Sequence, residues 1–563
     1  MVSRRLAPWA TAALAFVSAA PGVAQDADAD LAQALEDEAR QVALVARLSE
    51  SVAAVFPGED PGQGGGSGVL IDPRGYVLTN FHVSGVAQVL TVGLSDGRTY
   101  RARLLGIDPG GDIALLRLID ERTFRAVPLG DSDSLQVGER VYAMGNPFLL
   151  AEDYTPTVTE GVISGLHRYR DASGSSDLVY GDSIQIDASI NPGNSGGPLF
   201  RGDGTLLGIN GLGGFRPDRG RVNVGVGFAA SINQIKNFLW DLRACRQCQH
   251  GTMNATVRDQ TTPTGQTQLV VDAIGRESAA YRAGLRLGDV LRTFNGVELS
   301  NQNHLLTYVS RLPAGRRVRL GVERAREDGA GVFEVEASFR LEPLWSGPRR
   351  GEWRPDPDLV TAETEGLLAA YRATSPARAY AVEGTLTRAD GTSVRQLIRV
   401  DGLRVRVETG TLGEAQVEVY DGAEGWVQRS GEAPQALPPA RRDQLAGTRH
   451  ALLGAQDPEQ QRSLAALELT GGDALGAQRV ARLEVRDQAG RKRLLYFDAL
   501  DLGFAGLAYP QGEGWVEERW RAVDGRLTVT RVDFESGALL ETLEGSYAPG
   551  PQPEGSFAPE EVR

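Results

Sequence analysis

The chain of 563 residues has two cysteines, three methionines and five histidines, and lysine occurs only at Lys236 and Lys492. Two cysteines cannot build a disulfide-dense scaffold, and with His250 as the one histidine nearby they fall short of four zinc ligands. They stand as Cys245-Arg246-Gln247-Cys248, and Gln249 occupies the place where haem attachment requires a histidine. In an exported chain this spacing predicts a local disulfide between Cys245 and Cys248. No metal and no other cofactor is expected. Positive charge is also in deficit: the net charge of -14 argues against a nucleic-acid binder, since neutralising phosphates needs the opposite sign. Beyond the N-terminal segment there is no apolar run long enough to span a bilayer.

The length predicts about two to four domains, and 41% hydrophobic with 23% charged residues is the balance of a soluble globular protein. Arg4 and Arg5 precede an uncharged, largely apolar run from Leu6 to about Ala20, then Gly22-Val23-Ala24 and the acidic Gln25-Asp26-Ala27-Asp28. This is the layout of a signal peptide, residues 1–24, cut after Ala24, which places the mature chain in the periplasm or outside the cell. The paired arginines are compatible with the twin-arginine route. In residues 25–50 the spacing of Leu31, Leu35, Val42, Leu44, Val45 and Leu48 predicts an amphipathic helix, which either packs on its own domain or mediates assembly. From Val52 the pattern turns to short strands (Ala53 to Phe56, Gly68 to Ile71, Tyr76 to Thr79) between Pro- and Gly-rich turns, the spacing of an all-β barrel or sandwich.

Asn191-Pro192-Gly193-Asn194-Ser195-Gly196-Gly197-Pro198-Leu199 reads as a nucleophile on a tight turn. Glycines let backbone N–H groups turn towards a developing oxyanion where side chains would obstruct them. A serine is a weak nucleophile alone and requires a histidine base with a carboxylate to orient it. His82 follows the Tyr76 to Thr79 strand, and Asp112 opens the apolar Ile113 to Leu118 run, where burial requires it to be partnered. Asp108 and Asp131, beside Pro-Gly and Ser, read as solvated turn residues. His167, His250, His304 and His450 read as surface residues.

Together Thr79-Asn80-Phe81-His82, Gly111-Asp112-Ile113-Ala114 and Gly193-Asn194-Ser195-Gly196-Gly197-Pro198 resemble the HtrA (Deg-like) family of trypsin-fold serine proteases, in the order His, Asp, Ser of that fold. Gly66-Ser67-Gly68-Val69, Gly145-Asn146-Pro147-Phe148, Thr157 to Ser164, Ile186 to Ile190 and Gly225 to Ala229 extend the resemblance over residues 51–243. It implies two perpendicular six-stranded β-barrels with the site between them, catalytic His82, Asp112 and Ser195, and an oxyanion hole from the N–H groups of Gly193 and Ser195. It also implies a substrate pocket lined by Ser189, Ile190, Ile209, Asn210, Gly211, Gly227, Phe228 and Ala229. No aspartate stands at the pocket floor, so cleavage after a small-to-medium aliphatic residue is expected. The implied substrates are unfolded or misfolded polypeptides, and a homotrimer is compatible with the family.

Residues 244–251 read as a linker. Ser278 to Leu291, followed by Phe294-Asn295-Gly296-Val297, resembles a bacterial PDZ domain spanning 252–345: a small-residue helix, Gly-Asp-Val opening a strand, and an Asn-Gly turn. Its groove helix is expected at Asn301 to Leu312 and its carboxylate loop near Gly251 to Ala255. Asn254 and Ala255 depart from the usual glycine and aliphatic there, which leaves capture of a C-terminal peptide and a spacer role equally open. After a connector at 346–358, helix and strands alternate over 359–548. This region weakly resembles a periplasmic lipoprotein-carrier half-barrel, with an acyl-chain site and a solid adaptor both open, and 549–563 reads as a disordered tail. The fold expected is mainly β and multidomain, closed by an α+β antiparallel-sheet domain. An envelope scaffold or holdase is the alternative to the peptidase.

Overall fold

The computed structural model describes residues 21–58, 65–146, 153–171, 179–215, 223–244, 246–326, 331–344, 357–374, 379–410, 415–456, 458–462, 464–475, 478–499, 502–511, 514–523 and 526–549. The predicted cleavage segment up to Ala20, Cys245 and the tail beyond Pro549 lie outside them. Short apolar strands close into two six-stranded barrels. The first comprises Val52–Pro57, Gly66–Asp72, Tyr76–Thr79, Val89–Leu94, Thr99–Asp108 and Ile113–Leu118. The second comprises Arg140–Gly145, Thr157–Asp171, Val179–Ile186, Pro198–Arg201, Leu206–Phe215 and Asn223–Ser231. Tyr76–Thr79 is buried at every position, so its register with Ile113–Leu118, from Tyr76 opposite Arg117 to Thr79 opposite Ala114, is held by the core on both sides.

The N-terminal helix runs Pro21–Ser49. Leu48 is buried in the first-barrel core with Leu44 and Val45 against it, whereas Leu31, Leu35 and Val42 are exposed. Among the described residues no helix is long and apolar enough to cross a membrane. After the second barrel the Ile232–Arg243 helix starts at Ser231, whose hydroxyl accepts from Gln234 N–H. Ile232, Ile235, Phe238 and Leu242 recur at helical spacing and enter the first-barrel core. Trp240 and Ala244 join the core of the C-terminal sheet, so this one helix seals two domains together.

The stretch beyond it is pinned down: Ile107 N–H donates to Arg246 O (3.2 Å) and Cys248 N–H to Ile107 O (2.8 Å). This pairing turns Cys248 into the barrel core, 3% exposed, where it is a free thiol. The expected Cys245–Cys248 bridge involves Cys245, which lies outside the described residues, and among the described residues backbone pairing holds this turn.

The PDZ unit is a sheet ordered Ala255–Thr261, Thr267–Ile274, Val290–Phe294, Arg317–Ala325 and Val332–Arg340. Its groove helix, Gln302–Ser310, is capped by Asn301 Oδ1 accepting from His304 N–H (2.9 Å). It packs on the second barrel, where Thr307 Oγ1 donates to His167 O (3.4 Å).

The C-terminal domain is one antiparallel sheet of 13 strands. The strand Leu539–Pro549 returns beside Ala379–Arg388 in mid-sheet and joins its two meanders. Helices Pro357–Thr374 and Pro439–Gln456 contribute Leu367, Leu368, Tyr371, Leu452 and Ala455, which pack with Leu469, Leu483, Leu495 and Phe497. Where these helices lie the sheet face is a filled core. Glu363 anchors the first helix to the protease unit by accepting from the Tyr76 hydroxyl and, at 3.4 Å, from Arg243.

Candidate active site

Asn80 is extended, and the chain then makes one helical turn, Phe81–Ser84, that carries His82 off the strand end. Asp112 O accepts from Asn80 Nδ2 (2.9 Å) and Phe81 N–H (3.2 Å), which ties the two segments together. Asp112 has φ 57°, a left-handed conformation that aspartate tolerates better than most residues. That bend returns its fully buried carboxylate onto the histidine. Oδ2 lies 2.8 Å from His82 Nδ1, and Oδ1 accepts from His82 N–H at 3.0 Å. An ionised Asp112 requires the proton on Nδ1, leaving Nε2 as the acceptor. Burial works to lower the His82 pKa, but the hydrogen bond and charge of Asp112 outweigh it and hold the imidazole above its ordinary value.

Asn194 N–H donates to Asn191 O (3.0 Å) across Pro192 and Gly193, and Gly193 has φ 104°. Proline then glycine at positive φ make a type II turn. Ser67, from the first barrel, fastens it: Ser67 Oγ donates to Gly193 O (2.6 Å) and accepts from Asn146 N–H (2.9 Å), and Ser67 N–H donates to Ser195 O (2.8 Å). Gly196 N–H donates to Asn210 O (2.8 Å). A Cβ on Gly196 would overlap Ser67 O, and one on Gly197 would overlap Met144 O, so close backbone approach explains both glycines. The turn thus seats on Thr79 and Asn80, beside the His82 segment. Among the described residues the N–H groups of Gly193 and Ser195 donate to nothing. Ser195 Oγ donates to Gly211 O (3.2 Å) and makes no hydrogen bond to His82.

Ser189 is exposed, and its carbonyl accepts from Thr159 Oγ1 (3.1 Å) and Asn194 Nδ2 (3.4 Å). Ile190 packs against Gly227, with Gly211 and Phe228 buried in the same region. Ile209 and Ala229 enter the barrel cores. Asn210 braces the turn, its Nδ2 donating to Pro198 O (2.9 Å).

Two readings are corrected. Asp108 is 1% and His250 2% exposed, neither on the surface. Asp108 Oδ1 accepts from Gly111 N–H (2.9 Å) and lies 2.8 Å from His250 Nε2, while His250 Nδ1 donates to Ser310 O (2.5 Å) on the PDZ helix. Two acceptors on one ring make it an imidazolium, and its charge pair with Asp108 raises its pKa against the lowering effect of burial. The pair lies four residues from Asp112 and links barrel, linker and PDZ unit. A carboxylate ending a buried strand was the available signal. His167 is bonded to Asp182 (2.9 Å) and part-exposed, and the side chain of His450 lies outside the described residues. Asp133, His167 and Asp182 bring three potential metal-ligand atoms within 4.8 Å, but Arg311 already pairs with both carboxylates.

Residues 66–209 match the family model of a trypsin-like peptidase domain and residues 270–324 that of a PDZ domain. The chain is similar to the periplasmic serine endoprotease DegP of Salmonella typhimurium, 39% identical over 267 residues, covering 46% of this chain and 54% of that one. DegP of Escherichia coli matches over the same shares. A probable DegP-like periplasmic serine endoprotease of Bartonella henselae is 32% identical over 311 residues, 54% of this chain and 59% of that one. The chain spans about half the length of the curated relatives it matches. Among solved structures it is similar to the HtrA-type protease AlgW with tripeptide, at 31% identity over 56% of this chain and 98% of that chain, TM-score 0.43. The serine endoprotease from Yersinia pestis is 27% identical over 54% and 98%, TM-score 0.39. A buried Asp–His pair, a glycine-flanked serine turn and a PDZ unit thus follow one another in a chain that carries a trypsin-like peptidase domain and a PDZ domain and is similar to DegP serine endoproteases.

Proposed function

We propose that this chain is a periplasmic serine endopeptidase that hydrolyses peptide bonds of unfolded or misfolded polypeptides through an acyl-enzyme. The observation that carries this reading is the buried Asp112 carboxylate bonded twice to His82, beside a turn whose Gly193 and Ser195 N–H groups are unspent. Substrate binding draws Ser195 Oγ from Gly211 O to His82 Nε2. Oγ then attacks the peptide carbonyl as its proton passes to Nε2. Asp112 stays ionised and stabilises the imidazolium, and the two N–H groups receive the oxyanion. His82 returns the proton to the leaving amine, and a water repeats the sequence to release the acid. Ser189, Ile190, Gly227 and Phe228 shape a pocket for an aliphatic side chain.

Among the described residues the PDZ strand Ala255–Thr261 pairs on one side only, with Thr267–Ile274, and its other edge suits an extended C-terminal peptide added as a strand. The test is casein turnover by the full chain. Ser195→Ala is expected to lose roughly four to six powers of ten in rate with unchanged thermal unfolding. Equal turnover by wild type and Ser195→Ala sinks the reading.

A further inference from the structure

A cleft of about 1180 Å³ opens where the protease, PDZ and C-terminal units meet. It is larger than a typical small-ligand pocket of about 300–1,000 Å³. Although the chain is strongly acidic, this cleft gathers cations: Lys236 from the Ile232–Arg243 helix, Arg316 and Arg319 from the PDZ unit, and Arg479 from the large sheet line it together. Other arginines there are already neutralised, Arg311 by Asp133 and Asp182, and Arg317 by Glu517. Among the described residues these four make no ion pair. Lys236 Nζ donates to Gly130 O, and Arg479 Nε to Asn237 Oδ1 (3.1 Å).

Arg316 is the clearest sign of an absent partner. It is 8% exposed, and its Nε meets no acceptor. Asp241 and Asp473 attract it only from beyond ion-pair distance. Leaving a buried guanidinium unbonded is costly, and an anion in the cleft removes that cost. Three carboxylates also line the cleft: Asp133 is paired with Arg311, and Asp131 and Asp498 accept from the amides of Asn233 Nδ2 (2.6 Å) and Gln478 Nε2 (2.6 Å). Burial, and then repulsion from Arg479, holds Lys236 below its ordinary pKa against the attraction of Asp131 and Asp133.

We propose that this cleft binds an organic phosphate carrying two or more phosphoryl groups, which clamps the three units to one another. Guanidinium forks on separate elements favour phosphate, because a tetrahedral dianion accepts paired hydrogen bonds from several directions whereas a carboxylate accepts one fork in its plane. The neutral amide of Asn237 and the wall of Trp240 suit the non-phosphate body of such a ligand. The inference is independent of the peptidase reading.

The probe is inorganic tripolyphosphate, titrated into the full chain by calorimetry and thermal unfolding at constant ionic strength. A saturable isotherm with a rise in unfolding temperature is expected, weakened tenfold or more in Arg316→Gln and Arg479→Gln. Arg319→Gln, at an exposed position, serves should the buried variants fail to fold, and Arg98→Gln, remote from the cleft, should bind as wild type. Tight binding of triglutamate equal to that of tripolyphosphate overturns the phosphate assignment. A shift reproduced by sodium chloride, or affinity unchanged in Arg319→Gln and Arg479→Gln, overturns the site.

Discussion

Ser67 lies outside the proposed Asp112–His82–Ser195 set, yet it holds the Gly193–Ser195 turn proposed to receive the oxyanion, so Ser67→Ala tests whether that turn is kept active by a bond from the other barrel. Ser67 is fully buried, and its one hydroxyl serves both Gly193 O (2.6 Å) and Asn146 N–H (2.9 Å). Alanine deletes both bonds without adding bulk. A buried polar group stripped of its partner costs about 1–3 kcal/mol. The Gly193 peptide is the element free to rotate in response. If about 2 kcal/mol of preference for its present orientation is lost, kcat falls about 30-fold. Complete loss of one oxyanion donor, about 10²- to 10³-fold, is the ceiling. Ser67 does not line the substrate pocket, so KM for a short chromogenic peptide should stay within about threefold. The assay is steady-state kinetics on such a peptide, with thermal unfolding alongside. A kcat within about twofold of wild type, or a loss confined to KM, refutes the reasoning.

The acid limb of kcat/KM reports the free-enzyme base: protonated His82 cannot accept the serine proton, so activity should fall as pH drops through a midpoint above 6.5 and shift lower in Asp112→Asn, and a wild-type midpoint below 6.5 contradicts the pairing. His250 is stabilised in its charged form, so the His250–Asp108 contribution is complete below about pH 6.5, the unfolded value, and is lost as pH rises through the raised folded value. The gap in unfolding temperature between wild type and His250→Gln should accordingly narrow from pH 6 to pH 9, and a widening gap refutes it. Burial, then the neighbouring Asp108 and Asp241 carboxylates, pushes the Cys248 thiol well up, so Cys248 should resist alkylation until the chain unfolds, and recovery of a Cys245–Cys248 disulfide by mass spectrometry would overturn the free thiol.

The contact of His82 with Asp112 and the tight turn at Ser195 are foreshadowed in sequence because each residue lies in a short motif whose residue types are dictated by local geometry: a strand end, a buried strand start and a glycine turn. The brace from Ser67 and the pair of Asp108 with His250 were not, since both join residues more than a hundred positions apart whose neighbourhoods look like ordinary turns. In the C-terminal sheet Arg404–Thr409 and Gln416–Tyr420 carry clear strand patterns. Ala466–Leu475 and Phe504–Gln511 do not. The first carries a Gly-Gly pair at a register shift, and the second is rich in alanine, so neither has the β-branched signature of a strand. The cation-lined cleft has no sequence motif because three separate units supply it.

The most direct test of the central claim is reaction of the folded chain with an organophosphonate, followed by peptide mapping. One adduct per chain on Ser195 is predicted, absent in Ser195→Ala and strongly slowed in His82→Ala. A folded wild-type protein that stays unlabelled, or is labelled equally in Ser195→Ala, contradicts it.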